Sequence, residues 1–212
     1  QELAHFHRNY LKLPIIALTG SNGKTTTKEL IQVVLSSKYR TKATIGNLNN
    51  HIGVPLTLLS FTSETEIGIV EMGANHKKEI EFLCELAQPD YGYITNFGKA
   101  HLEGFGGVQG VIEGKSEMYT FLSNNEKLAF VNLEDPIQVQ KTSSFNHYTF
   151  GVNKSDANVS IEKVTANPFV SVVFEDLKIA SHLIGLYNAN NINAAIAIGN
   201  YFKVSNDAIK SA

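Results

Sequence analysis

The stretch TGSNGKTT (19–26) places glycines, a lysine and hydroxyl side chains where an apolar run gives way to a helical pattern. Glycines allow a tight turn with inward-pointing N–H groups, and a helix N-terminus adds a partial positive charge. Such a turn binds phosphate. Lys24 would reach the β- and γ-phosphates of a nucleotide, and the Thr25 hydroxyl would bind the accompanying Mg²⁺. The pattern G-x-x-x-x-G-K-[ST] is matched imperfectly, since Leu18 replaces its first glycine, and an ordinary glycine-rich turn is the alternative.

Two further polar residues lie at or just after the ends of predicted strands. Glu71 comes near the end of the apolar run IGIVEM, and His101 follows YGYITN through a short loop. Because the carboxyl ends of parallel strands share the sheet edge where ligands bind, both are expected beside the phosphate loop. A carboxylate is a ligand that suits Mg²⁺. The alternatives are a surface glutamate at a strand end and a solvated loop histidine, one of seven histidines in the chain.

Lys115, in the segment EGKSEMY, lies three or four residues from apolar residues on both sides, so it falls on the apolar stripe of a predicted helix. One interpretation is a long side chain that extends its charge to solvent. The other uses the chemistry of a buried amine. Burial lowers the pKa of a lysine, and the neutral amine reacts with CO₂ to give a carbamate, an anion able to bind Mg²⁺.

Two asparagine-rich segments are further candidates. Asn49 and Asn50 belong to GNLNNHIGVP (46–55), which is polar at its front and apolar at its back, and turn residues are the alternative there. Asn188 and Asn191 open the last predicted helix, where one of them is expected to serve as the N-cap.

The elements that must position these residues alternate between strand and helix. Strand-like apolar runs occupy residues 15–18, 67–72, 91–96 and 128–132, and amphipathic stretches occupy 26–39, 76–87 and 110–123. This alternation predicts an α/β fold, a P-loop-type and mostly parallel sheet flanked by helices. Residues 145–184 differ in pattern and are predicted to form a small antiparallel β segment, followed by a helix over 188–202.

Length and composition fit one large domain, or one domain plus an appendage, with a substantial core: 212 residues, 43% hydrophobic and 18% charged. The net charge of −2 argues against a general binder of nucleic acid or of membrane surfaces. The one cysteine, Cys84, excludes an internal disulfide and is expected to be a buried structural thiol in a reducing compartment. No apolar run approaches the ~18 residues of a membrane span. We expect a monomer in the cytoplasm.

The loop TGSNGKTT resembles the ATP-binding loop of the Mur ligase family, the amide-forming ligases that build the peptidoglycan stem peptide. Five further segments are similar to family motifs and occur in family order: 46–59, 71–80, 95–106, 113–119 and 185–195. The resemblance covers nearly the whole chain as the family's central ATP-binding domain (1–212), which implies that a uridine-binding N-terminal domain and a C-terminal domain lie outside this fragment. Tyr187 stands where the family motif usually has histidine.

The resemblance implies an ATP- and Mg²⁺-dependent ligase that joins D-Ala-D-Ala to a UDP-muramoyl tripeptide through an acyl phosphate. It implies that ATP contacts Gly20, Ser21, Asn22, Gly23, Lys24, Thr25, Thr26, Asn188 and Asn191. It implies a first Mg²⁺ on Thr25 and Glu71, a second on His101 and a carbamylated Lys115, and substrate contacts at Asn49 and Asn50. Lys24, His101 and Lys115 are then the catalytic residues. The alternatives are another Mur-type amino-acid ligase and a nucleotide-binding regulatory module without ligation, and the isolated fragment is expected to be inactive.

Overall fold

The computed structural model describes residues 1–212, in which ten strands form two sheets and nine helices pack around the larger one. The strands are β1 (Ile15–Thr19), β2 (Thr41–Ala43), β3 (Ile67–Glu71), β4 (Tyr91–Ile94), β5 (Leu128–Asn132), β6 (His147–Val152), β7 (Val159–Ile161), β8 (Lys163–Ala166), β9 (Phe169–Phe174) and β10 (Leu177–Ile184). The helices are α1 (Glu2–Leu11), α2 (Lys24–Ser36), α3 (Gly53–Ser60), α4 (Glu79–Ala87), α5 (Leu102–Phe105), α6 (Val108–Asn124), α7 (Pro136–Thr142), α8 (Asn188–Tyr201) and α9 (Asn206–Ser211).

The larger sheet has the strand order β2-β3-β1-β4-β5-β6-β7, and every pairing in it is parallel. All five residues of β1 are buried, as expected of a central strand covered on both faces. Ile16 and Leu18 pack into one core, and Ile15 and Ala17 pack into the other. The predicted α/β class and the parallel sheet are therefore confirmed, with β1, β3, β4 and β5 at the four predicted strand positions.

The prediction of an antiparallel segment over 145–184 is wrong in its first half. Strand β6 pairs in parallel with β5, and β7 pairs in parallel with β6, so both extend the large sheet. The helix α7 supplies the crossover that makes β6 parallel, and this short helix was not predicted. The loop 153–158 connects β6 to β7 and must run back along the strand direction to make them parallel. Because only three residues of β7 are paired, that return distance is only about 10 Å. The antiparallel sheet consists of β8, β9 and β10 alone.

Predicted helix 76–87 begins later, at Glu79, because the preceding residues form a loop held by carboxylates. The Glu79 carboxylate accepts hydrogen bonds from the N–H groups of Asn75 and His76 at 2.6 and 3.2 Å. The Glu117 carboxylate of α6 accepts one from the N–H of Lys78 at 2.6 Å. This loop follows β3 at the carboxyl edge of the sheet, where it forms one wall of the cleft described below.

The expectation of a buried structural thiol is also met. Cys84 is buried, and burial raises the pKa of its thiol, so it behaves as an inert core residue. None of the helices combines the length and the apolar character that crossing a bilayer requires.

Candidate functional site

The loop between β1 and α2 depends on its glycines for reasons that the structure makes specific. Gly20 has φ 145°, and a Cβ there would lie 1.9 Å from Thr95 Oγ1. Gly23 has φ 79°, and a Cβ there would lie 2.7 Å from Asn191 Oδ1. Both positions therefore combine a backbone conformation that favours glycine with a neighbour too close for any side chain.

The first half of this loop is tied to the segment that follows β4. The backbone carbonyl of Asn96 accepts a hydrogen bond from the N–H of Ser21 at 3.1 Å. The side-chain Oδ1 of Asn96 accepts one from the N–H of Asn22 at 3.2 Å. The carbonyl of Asn22 in turn accepts from Thr95 Oγ1 at 2.6 Å and from Asn96 Nδ2 at 2.9 Å. Sequence analysis did not single out Thr95 and Asn96. Their place at the carboxyl end of a predicted strand was the available signal.

The second half of the loop keeps its donors free. The N–H groups of residues 23–26 make no hydrogen bond within the protein, and the N–H of Thr27 is the first to bond, to the carbonyl of Gly23. Four free N–H groups at the N-terminus of a helix of 13 residues constitute an anion-binding site. Lys24 lies at this end of α2 and donates to the carbonyl of Gly20 at 2.8 Å. Burial lowers the pKa of Lys24, and the nearby charge of Glu71 opposes that shift.

Glu71 is buried at the end of β3, which removes the alternative of a surface glutamate: it is 1% exposed. Its Oε1 accepts hydrogen bonds from Thr25 Oγ1 at 3.3 Å and from Asn49 Nδ2 at 2.9 Å. Its Oε2 is buried without any partner. An orphaned carboxylate oxygen beside a hydroxyl is a donor set that fits Mg²⁺. No group of three or more acidic, histidine or cysteine side chains surrounds it.

Lys115 lies on the buried face of α6, as predicted, and is 1% exposed. Its Nζ lies 5.3 Å from the centroid of the Phe105 ring, and it takes part in none of the ion pairs of the protein. Burial lowers the pKa of Lys115 to about 8, and the charge of Lys24 adds to the shift. At pH 7 Lys115 is then the neutral amine in about a tenth of the molecules, a fraction roughly 300-fold larger than for an ordinary lysine.

These groups meet around one cleft of about 530 Å³ at the carboxyl edge of the sheet. Its lining includes Lys24, Asn49, Asn50, His101 and Lys115, which come from four separate parts of the chain. The loop after β3 forms a further wall with Asn75, Lys77 and Lys78. His101 is exposed and has φ 55°, immediately before α5. Thr25 and Glu71 adjoin this cleft through Asn49.

The asparagines before α3 are held by the protein as well as facing the cleft. Asn50 Oδ1 accepts hydrogen bonds from the N–H groups of Ile52 and Gly53, both at 3.0 Å, where the helix starts. Asn49 holds Glu71 as described. The expectation of turn residues therefore describes part of their role, and the contact of either side chain with a substrate stays a prediction.

Asn188 and Asn191 do not line the cleft, and Asn191 packs against α2 while Asn188 Nδ2 donates to the carbonyl of Ile184 at 2.9 Å. Asn191 Oδ1 accepts from Thr27 Oγ1 at 3.0 Å, and its Nδ2 donates to Asn188 Oδ1 at 2.9 Å. Neither side chain caps α8, whose N-cap is the 77% exposed Tyr187. The prediction of an asparagine N-cap is therefore wrong, because both side chains are used against neighbouring elements. Their contact with a nucleotide stays a prediction.

Comparison with known proteins matches this chain to ligases. Residues 18–199 match the family model of the Mur ligase middle domain. The chain is 36% identical over 211 residues to the UDP-N-acetylmuramoyl-tripeptide–D-alanyl-D-alanine ligase of Bacillus subtilis, covering 99% of this chain and 46% of that protein. It is 33% identical to the enzyme of the same name from Escherichia coli, covering 99% of this chain and 48% of that protein.

Solved structures agree with these similarities. The fold superposes with a TM-score of 0.88 on MurF from Acinetobacter baumannii, at 32% identity, covering 99% of this chain and 48% of that one. It superposes with a TM-score of 0.84 on the MurF ligase of Thermotoga maritima in complex with ADP, at 28% identity, covering 100% of this chain and 52% of that one. The chain thus spans about half the length of the relatives it matches.

Proposed function

The chain belongs to the Mur ligase family as a middle domain, and we propose that it is the ATP-binding part of a ligase that joins D-alanyl-D-alanine to UDP-N-acetylmuramoyl-tripeptide. Two relatives that match nearly the whole chain carry that name. The observation that carries the proposal is one cleft lined by Lys24 of the phosphate loop and by the unpaired, buried Lys115, with Glu71 and its unpartnered Oε2 adjoining it through Asn49. Because the relatives are about twice as long, the activity is proposed for a whole protein that includes flanking domains.

The nucleotide binds with its phosphates at the free N–H groups of residues 23–26. The ammonium of Lys24 moves from the carbonyl of Gly20 to the β- and γ-phosphates, which offer a charged partner in place of a neutral one. The Thr25 hydroxyl and the Glu71 carboxylate would hold Mg²⁺, which supplies neutralisation of phosphate charge when bound. Asn191 supports this site from behind, since it links α8 to Thr27 of α2 and is itself held by Asn188.

The reaction has two steps that balance without any further reactant. A carboxylate oxygen of the tripeptide attacks the γ-phosphorus, the bond to the β-phosphate oxygen breaks, and ADP leaves. The amine of D-Ala-D-Ala then attacks the acyl carbon, loses a proton and expels phosphate. The residues contribute mainly position and charge, as phosphoryl transfer requires. Asn49 and Asn50 contact the muramoyl substrate from the wall of the cleft next to Lys24.

The ammonium of Lys115 first loses a proton, and the neutral amine then reacts with CO₂, which forms an N–C bond and releases a second proton, so that a buried cation becomes a carbamate anion. The lowered pKa of Lys115 supplies that neutral form. As an ammonium, Lys115 would repel a cation. As a carbamate it would hold a second Mg²⁺ together with His101 and orient the substrate carboxylate toward the γ-phosphate.

A phosphate-release assay on the full-length protein tests this proposal. Each UDP-muramoyl peptide is supplied with ATP, with and without D-Ala-D-Ala. Release that requires both the tripeptide and the dipeptide supports the assignment. Release with a different amino acid or muramoyl peptide would make the chain part of another Mur-type ligase. ATP binding without any acceptor-dependent release would support a regulatory nucleotide-binding module instead.

The variant Lys115→Ala tests the role of the carbamate in the same assay. Turnover should fall, and added bicarbonate should not restore it because no amine remains. Unchanged turnover would refute the role. The monomeric state and the cytoplasmic location remain part of the proposal, and sedimentation of the full-length protein checks the first.

A further inference from the structure

Lys28 is completely buried, yet the proposed reaction gives it no contact with a substrate. It lies on α2 one turn after Lys24, and its side chain is 0% exposed. Its ammonium donates to the carbonyl of Thr44 at 2.6 Å and pairs with Glu29 Oε1 at 2.8 Å. Burying an ammonium costs far more solvation energy than burying an apolar side chain of the same length. Its presence in the core therefore needs an explanation in terms of the groups it contacts.

Thr44 is the first of those groups, and it lies just beyond the end of β2. Its N–H donates to the carbonyl of Ile69 at 2.9 Å, so pairing with β3 continues one residue past the strand. Thr44 lies beyond the end of β2, and no backbone N–H donates to its carbonyl. A buried carbonyl without a donor costs about 1–3 kcal/mol. Lys28 supplies the missing donor.

Thr44 in turn contacts Glu71, the carboxylate at the candidate metal site. Its Oγ1 accepts a hydrogen bond from the N–H of Glu71 at 3.0 Å. Five residues later, Asn49 Nδ2 donates to Glu71 Oε1 at 2.9 Å, and the Asn49 carbonyl accepts from the N–H of Gly73 at 2.7 Å. The segment 44–49 thus holds both the backbone and the side chain of Glu71, and Lys28 anchors the start of that segment.

We propose that Lys28 is a positioning residue for the Mg²⁺-binding carboxylate, acting through Thr44 and the segment 44–49 on Glu71. The inference rests on the proposed function, because it takes Glu71 to be a metal ligand. It separates two lysines of one helix by role. Lys24 contacts phosphate directly, whereas Lys28 determines how Glu71 is oriented. In that orientation the Oε2 atom of Glu71 has no protein partner. Loss of Lys28 should therefore weaken Mg²⁺-dependent binding of the nucleotide and spare Mg²⁺-independent binding.

The test measures ADP binding to the full-length protein by calorimetry, in EDTA and over a range of Mg²⁺ concentrations. The variant Lys28→Met should raise the Mg²⁺ concentration for half-maximal effect by about tenfold, the loss typical of groups that support a metal ligand. Its affinity for ADP in EDTA should stay within about twofold of the wild type, since the free N–H groups and Lys24 are untouched.

A second pair of variants tests the same chain of contacts without removing a buried charge. Thr44→Val keeps the shape of the side chain but loses the hydroxyl, and should also raise the Mg²⁺ requirement by about tenfold. Thr44→Ser keeps the hydroxyl and is the matched control, which should behave like the wild type. The double variant Lys28→Met with Thr44→Val should lose less than the sum of the single effects, because both act through Glu71.

The outcomes separate this inference from the function on which it rests. A Lys28→Met protein with a lower thermal midpoint but the wild-type Mg²⁺ requirement shows a merely structural lysine and overturns the inference. Should Lys28→Met fail to fold, a Thr44→Val protein that equals Thr44→Ser in Mg²⁺ requirement overturns it instead. If ADP binding to the wild type does not depend on Mg²⁺, there is no metal site at Glu71. The proposed function then fails, and the inference fails with it.

Discussion

Buried charged side chains have different surroundings at the two edges of the large sheet: the amino edge, where its strands begin, and the carboxyl edge, where they end. At the amino edge, the 8% exposed Arg8 pairs with Asp90 at 3.0 Å and donates to the carbonyls of Ala87 and Gln88 at 2.8 and 2.9 Å. Asp90 also pairs with Lys127 at 2.8 Å and accepts from the N–H of Ile15 at 3.1 Å. Every group in this cluster has a protein partner.

At the carboxyl edge, two buried charged groups lack such partners, although the buried Lys28 has them. Lys115 takes part in no ion pair, and Glu71 Oε2 is an orphaned acceptor. A buried charge without a partner is costly, so a fold that carries it gains only if a ligand completes the site. The amino edge therefore stabilises the chain, and the carboxyl edge is prepared for charged ligands. Four predictions test this contrast.

The largest expected effect is at Lys115. Replacing it with methionine in the full-length protein should lower turnover in phosphate release by about a thousandfold, the upper range for one electrostatic contact with the transition state. The free energy of unfolding should not fall and should rise by up to about 3 kcal/mol, because an unpaired charge is removed from an apolar setting. Urea unfolding measures the second quantity. A large loss of stability would show that Lys115 is structural and would end the contrast between the edges.

The opposite result is expected at Arg8. Arg8→Met should lower the free energy of unfolding by about 3 kcal/mol, since Asp90 and two carbonyls lose a buried donor. Turnover per folded molecule should not change, because Arg8 lies at the far edge of the sheet. Arg40→Met is the matched control: Arg40 is 63% exposed, pairs with Glu66 at 3.6 Å, and should cost less than about 1 kcal/mol. Equal losses for the two arginines would contradict the prediction.

Glu71→Gln should have a smaller and more specific effect. The amide keeps the size of the side chain and an acceptor oxygen but removes the charge that attracts Mg²⁺. We expect the Mg²⁺ concentration for half-maximal turnover to rise by roughly tenfold, with stability nearly unchanged. Titration of Mg²⁺ at saturating ATP measures this shift. An unchanged requirement would place the metal elsewhere.

The smallest expected effect is on pH dependence. The pKa of Lys115 is lowered to about 8 in the folded chain, whereas the unfolded chain has an ordinary lysine. Between these two values the unfolded state binds more protons, so stability rises with pH. Relative to Lys115→Met, the unmodified wild type should gain about 1 kcal/mol between pH 7 and pH 9. Urea unfolding at both pH values, without bicarbonate, checks this. A loss of stability over that range would show that folding does not lower the pKa of Lys115.

The parts of the site that sequence predicted were local in character. The phosphate loop, the strand before it and the helix that begins at Lys24 depend on a few adjacent residues, so their types and spacing were sufficient. The burial of Lys115 followed in the same way from helical periodicity. Glu71 and His101 were placed at the right edge because the chain order of strands and helices predicts a parallel sheet.

The parts that sequence missed depend on partners far apart in the chain. Nothing near Asn96 reveals that it holds Ser21 and Asn22, and nothing near Asn191 reveals that it approaches Gly23. The antiparallel prediction for β6 failed for the same reason. A run of apolar and polar residues describes which faces of a strand are buried but not the direction of its neighbour.

By itself, the sequence determined the phosphate loop, the alternation of strands and helices and the family, because each depends on short-range spacing or on motifs in a fixed order. Only the tertiary structure decided which loop N–H groups remain free, which buried charges find partners, and that Thr44 contacts both Lys28 and the N–H of Glu71. Hydrogen bonding and desolvation depend on atoms that distant parts of the chain bring together, so no local pattern encodes them.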